Sequence, residues 1–124
     1  MKDLHLDATA YTPEINLQVN GIISFVGKSY PENTFEFYTP IMKWLEDYFD
    51  GSTPEETVVN LELVYFNSSS AKLFFDFFDL LDEAKDEHSI VVHWIYDEEN
   101  DSAQEAGEDF IEDFSDLTIK LIQK

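Results

Sequence analysis

Asn67-Ser68-Ser69-Ser70 lies between a strand-like run, Thr57–Phe66, and a helical run that starts at Ala71. Small hydroxyl and amide side chains at such a junction have two uses. They cap the helix, accepting hydrogen bonds from amides that lack an intrahelical partner. Alternatively a serine accepts a phosphate, whose charge the free amides and the positive helix end tolerate. Lys72, one turn further on, is the cation nearest to such a phosphate.

A second cluster, Asp97-Glu98-Glu99-Asn100-Asp101, has the look of a calcium loop. Asp97, Glu99, Asp101 and Glu108 take ligand positions, but the position that needs a turn-making glycine holds Ser102, and Gln104 stands where an aliphatic residue belongs. We read these acids as stabilising a helix N-terminus and expect no metal site. His5, His88 and His93 lack His-x-x-x-His spacing and read as structural. There is no Gly-x-Ser-x-Gly elbow, no Walker loop and no zinc-protease helix, so nothing points to an enzyme or to a cofactor.

Composition narrows the function further. The chain has 124 residues, 27 acids and 7 bases, a net charge of −20, and every base is a lysine. Such a surface cannot displace counterions from nucleic acid, and an anionic membrane face would repel it. A nucleotide site would want arginine forks or a glycine-rich cradle, and neither is present. With 44% hydrophobic and 15% aromatic residues there is material for a core, and the length suits one domain over 1–124. Zero cysteines exclude thiol chemistry and disulfides. With no signal-like start and no long apolar run, we expect a soluble, cytoplasmic protein.

The elements that position Ser68 follow from periodicity. Ile15, Leu17 and Val19 alternate with polar residues, Asn20-Gly21 offers a tight turn, and Ile22–Val26 returns as the second strand of a hairpin. Leu4-His5-Leu6 reads as a short edge strand. Tyr38, Ile41, Met42, Leu45, Tyr48 and Phe49 recur at helical spacing. Pro40 leaves that helix two starts: at Thr39, with Pro40 in the first turn, or near Asn33, with a kink at Pro40. Asp50–Pro54 stops it. A strand over Thr57–Phe66, a helix to about Glu87, a strand over His88–Tyr96, a helix from Asp101 or Ser102 through Phe114 and a strand over Leu117–Ile122 follow. Alternating strands and helices imply right-handed crossovers onto a mixed, largely parallel sheet. In the helix after Ser70, Leu73, Phe74, Phe75, Phe77, Phe78, Leu80 and Leu81 spread over about 220° of the wheel, so it reads as a core helix with Phe75 left at an exposed margin for a partner. The ten acids between Asp97 and Asp116 either solvate the last helix or steer a basic partner.

Val64-Tyr65-Phe66-Asn67-Ser68-Ser69-Ser70-Ala71-Lys72 resembles the phosphoserine or phosphothreonine switch of STAS-type regulators, the anti-sigma-factor antagonists. Ser29-Tyr30-Pro31-Glu32-Asn33, Trp94-Ile95-Tyr96-Asp97 and Glu108-Asp109-Phe110 extend the likeness to the SiaC family of bacterial regulatory phosphoproteins over nearly the whole chain. The resemblance implies a STAS-like α/β fold without catalysis of its own. It implies that the unmodified form binds and activates a diguanylate cyclase, raising cyclic di-GMP and favouring biofilm, and that a cognate kinase and a PP2C-type phosphatase control it. The phosphosite implied is Ser68, where the family's prototype has threonine, with Ser69 as runner-up. We expect the partner to pack over Asn67, Ser69, Ser70, Lys72 and Phe75. Two other functions stay open at this point: a partner switch on an anti-sigma factor, and a calcium- or ligand-binding domain using the Asp97–Glu108 loop.

Overall fold

The computed structural model describes residues 1–51 and 53–124, so Ser52, in the expected helix stop, lies outside the described residues. In chain order the elements are β1 (Leu4–Leu6), β2 (Glu14–Leu17), β3 (Ile22–Ser29), α1 (Thr34–Asp50), β4 (Thr57–Phe66), α2 (Ser68–Ala84), β5 (Ile90–Tyr96), α3 (Asp101–Asp113) and β6 (Thr118–Gln123). The strands form one six-stranded sheet in sequence order, β1 to β6. β1, β2 and β3 run antiparallel, and β3 to β6 run parallel. This is the expected mixed α/β sheet.

Three right-handed crossovers that advance in one direction put all three helices on one face. Burial alternates accordingly. Thr57, Val59, Leu61 and Leu63 of β4 and Ile90, Val92 and Trp94 of β5 are buried, and the residues between them face outward. Under the helices lies an aromatic core. The Phe25 ring sits 5.9 Å from Phe74 and 5.3 Å from Phe77, and Phe78 lies 4.5 Å from Phe110. Burying side chains of this size contributes roughly 1.5–3 kcal/mol each.

Several boundaries differ from expectation. The hairpin is not a two-residue turn: β2 ends at Leu17, and the Gln18 amide donates to the Ile22 carbonyl across Val19-Asn20-Gly21, which leaves Val19 exposed. Gly21 takes φ +102°, and a Cβ there would lie 2.7 Å from the Glu56 carbonyl oxygen. Of the two starts open to α1, the structure takes the one near Asn33: the helix begins at Thr34. Asn33 caps it, accepting from the Glu36 amide at 3.0 Å while its own amide group donates to the Glu36 carboxylate. Pro40 therefore lies inside the helix, on its exposed side.

α2 ends at Ala84, three residues short of the expected Glu87, because His88 is drawn off to the end of α1. Its ring bonds the Phe49 carbonyl at 2.9 Å and the Thr53 hydroxyl at 3.0 Å, and β5 then starts at Ile90, opposite Thr57. α3 ends at Asp113 with Phe114 as its cap, and β6 begins at Thr118, one residue after the buried Leu117.

Candidate functional site

The carboxyl ends of β3 and β4 lead into the first turns of α1 and α2, the edge at which open α/β sheets usually present their sites. Ser29 closes β3 and Phe66 closes β4, paired with each other, and the Asn67 amide donates to the Ser29 carbonyl at 3.1 Å. That bond fixes where α2 starts. The Asn67 side chain then caps the helix, accepting from the Ser70 amide at 2.9 Å.

With the cap supplied by Asn67, no serine is needed for it. Ser68 and Ser69 are both exposed in the first turn of α2, where amides without intrahelical partners and the positive end of the helix favour an added anion. Lys72 is exposed one turn on, and among the described residues it is in no ion pair, unlike Lys43, Lys85 and Lys124. Phe75 is 47% exposed, its ring 5.0 Å from that of Phe114, so it stands at the α3 side of the helix.

Ser70 does not belong to the partner-facing set. It is fully buried, and its hydroxyl shares a 2.8 Å hydrogen bond with Ser29, whose hydroxyl also meets the Tyr38 phenol at 2.6 Å. In helical phase Ser70 lies on the side of Phe74 and Phe77, and that face is the core. The three hydroxyls tie β3, α1 and α2 together beneath the exposed serines, an arrangement the residue types alone did not reveal.

Burial pushes the Tyr38 phenol up to about 12, although its bond to Ser29 acts in the opposite sense. A pKa raised above the unfolded value of about 10 contributes stability that is fully present below pH 10 and is lost as pH rises through about 12. In alkaline denaturation series, wild type should lose more stability across that window than Tyr38→Phe. Parallel curves for the two proteins would contradict the late titration of Tyr38.

The acidic loop folds onto itself. The Asp97 carboxylate accepts from the Glu99 amide at 3.0 Å, and Asn100 caps α3 by accepting from the Ala103 amide at 3.1 Å. Among the described residues, the group of imidazole and carboxylate atoms that come within 4.8 Å of one another is His5, Asp7 and Glu14, not this loop. There both ring nitrogens of His5 are already bonded, to Asn16 and Asp7, and those bonds raise its pKa. His93 bonds Asn60 on the open face of the sheet.

A groove of about 1310 Å³ opens beside the exposed serines, between the first turns of α1 and α2. Asn67, Ser69 and Lys72 reach it from one side and Phe35 from the other. Phe35 is 80% exposed, and nothing in its sequence context marks it out. Its helical phase matches that of Met42, and only the absence of cover over the first turn of α1 sets it apart.

An uncharacterized protein of Pseudomonas aeruginosa (strain UCBPP-PA14) is 39% identical over 118 residues, covering 93% of this chain and 92% of the relative. The structure of SiaC of Pseudomonas aeruginosa is similar along 100% of both chains, at 34% identity and a TM-score of 0.89. A chain in the crystal structure of the diguanylate cyclase SiaD in complex with its activator SiaC, from the same species, matches at 35% identity and a TM-score of 0.87, over 98% of this chain and 100% of that one. Residues 6–124 match the family described as SiaC family regulatory phosphoprotein. By that match over nearly its whole length, the chain belongs to the SiaC family of regulatory phosphoproteins.

Proposed function

We propose that this chain is a non-catalytic, STAS-like partner switch that binds and activates a diguanylate cyclase while Ser68 is unmodified. A cognate kinase and a PP2C-type phosphatase set the state of Ser68, and the exchange takes place in the cytoplasm. Among the described residues no helix is long and apolar enough to cross a membrane. One observation supports the reading above others: Asn67 performs the capping, and Ser68 stands exposed at the helix end with Lys72 one turn away. The SiaC structure solved with its cyclase supports the choice of partner. Ser69 shares the exposure of Ser68 and is the runner-up acceptor.

The experiment is phosphosite mapping by mass spectrometry on protein isolated from its host, together with capture of the host's diguanylate cyclase on the unmodified chain. Phosphate on Ser68 and recovery of the cyclase are expected. Phosphate confined to Ser69, or no cyclase captured, would overturn the corresponding half of the reading.

Lys72→Ala should alter dephosphorylation by the phosphatase while shifting stability by less than about 0.5 kcal/mol, the range of an exposed substitution with no structural partner. A loss of several kcal/mol in chemical denaturation would show instead that Lys72 is structural.

A further inference from the structure

We propose that the groove between the first turns of α1 and α2 is the seat for an apolar side chain of the partner, flanked on the partner by lysine or arginine. The inference rests on the reading of the chain as a cyclase-binding switch and locates where the partner sits. Leu6, Pro31, Phe37 and Leu73 give the groove an apolar lining, and Phe35 stands at its margin with four-fifths of its surface in water. A phenylalanine so exposed gains nothing for the fold, whereas aromatic anchors of this kind dominate the energetics of protein interfaces. Phe75, the aromatic singled out from the sequence, does not line this groove.

Charge decides the chemistry of the occupant. Glu32, Glu36 and Asp76 are exposed around the groove, and among the described residues Lys72 is the one cation lining it. A cationic flank on the partner complements that rim, and the net charge of −20 would speed its approach. A second copy of the chain would bring the same acids to the same rim and be repelled.

Continuity with the switch is the second support. Asn67 and Ser69 line the groove and Ser68 between them does not, so a phosphate on Ser68 would stand beside the groove, next to its edge. Two added charges change the overall field by only about a tenth. Beside the groove, however, the hydrated dianion obstructs the body of a partner docked in it. The groove therefore gives the modification a local target that the overall charge does not.

The test uses this chain and the full-length diguanylate cyclase of the same host, with affinity and association rate measured by surface binding. Phe35→Ala should weaken binding at least tenfold, with an unchanged melting temperature, and Phe35→Leu should recover most of the loss. Asp76→Lys should slow association, and added salt should slow association of wild type. Wild-type affinity in both Phe35→Ala and Asp76→Lys would overturn the groove while leaving the cyclase reading intact. Failure of wild type itself to bind would overturn both. Self-association of the chain that Phe35→Ala abolishes would identify a second copy as occupant and overturn the proposal.

Discussion

Phosphate on Ser68 should weaken cyclase binding about a hundredfold, and Ser68→Asp, with roughly half the charge, about tenfold. Both flanks of Ser68 are fixed. Asn67 is held by the Ser29 carbonyl, and two residues after Ser68 the buried Ser70 is bonded to the same Ser29. A phosphate therefore cannot retreat by letting the first turn of α2 swing away without breaking buried hydrogen bonds. Each such break costs about 1–3 kcal/mol when a buried group is left unpaired. In the free protein the dianion is well placed beside helix amides and Lys72, so fold stability should change by only about 1 kcal/mol in either direction. Under a docked partner it must lose water with Lys72 as the single nearby cation of this chain and no arginine of this chain to receive it, a cost of several kcal/mol that a cationic flank of the partner, seated at the acidic rim, offsets only in part. The checks are calorimetric titration of the cyclase with Ser68→Ala, Ser68→Asp and wild type. Ser68→Ala should bind like wild type, and Ser68→Asp binding equally well would contradict the account.

Gly107→Val should cost about 3 kcal/mol of stability, lowering the melting temperature by roughly 10 °C. Gly107 lies in the middle of α3, where glycine is ordinarily a poor choice. The reason for it is contact with the sheet. A Cβ at that position would lie 2.5 Å from Trp94 Cδ1 and 2.7 Å from Leu121 Cδ2. Trp94 cannot give way, because it is fully buried, its indole N–H donates to the Ala103 carbonyl at 2.8 Å, and Phe66, Phe78 and Phe110 surround its ring. Gly107→Ala should lose less, since alanine recovers about 1 kcal/mol of helix propensity. Urea denaturation of the three proteins gives the order, and a Val variant within 0.5 kcal/mol of wild type would show that α3 does not pack this closely.

Gly107 also shows where reading the sequence stopped. The alternation in β4 and β5 and the apolar face of α2 are one-dimensional patterns with a single structural solution, and they appear in the fold nearly as expected. Alternating order and right-handed crossovers then leave little freedom in the topology. The boundaries depended on long-range partners. His88, expected to open a strand, bonds instead to Phe49 and Thr53, which are far away in sequence. Asn33 caps α1 in place of Thr39, and its reciprocal bonds with Glu36 offset part of the cost of Pro40 inside the helix. At the switch, Asn67, Ser68, Ser69 and Lys72 were legible as a local motif. Ser70 reads as partner-facing but lies inside, since only the phase of α2 against Ser29 and Tyr38 separates three identical residues. Phe35 was invisible for the converse reason: nothing in its own helix says that the turn around it lacks cover.

The most direct measurement is the rate of cyclic di-GMP synthesis by the host's diguanylate cyclase, titrated with this chain in two forms. One form is unmodified; the other carries stoichiometric phosphate on Ser68, with its fold verified by an unchanged melting transition. The account predicts that the unmodified chain raises the rate to saturation and that the phosphorylated chain needs about a hundredfold higher concentration for the same effect. Equal activation by both forms, or activation by neither, would contradict it.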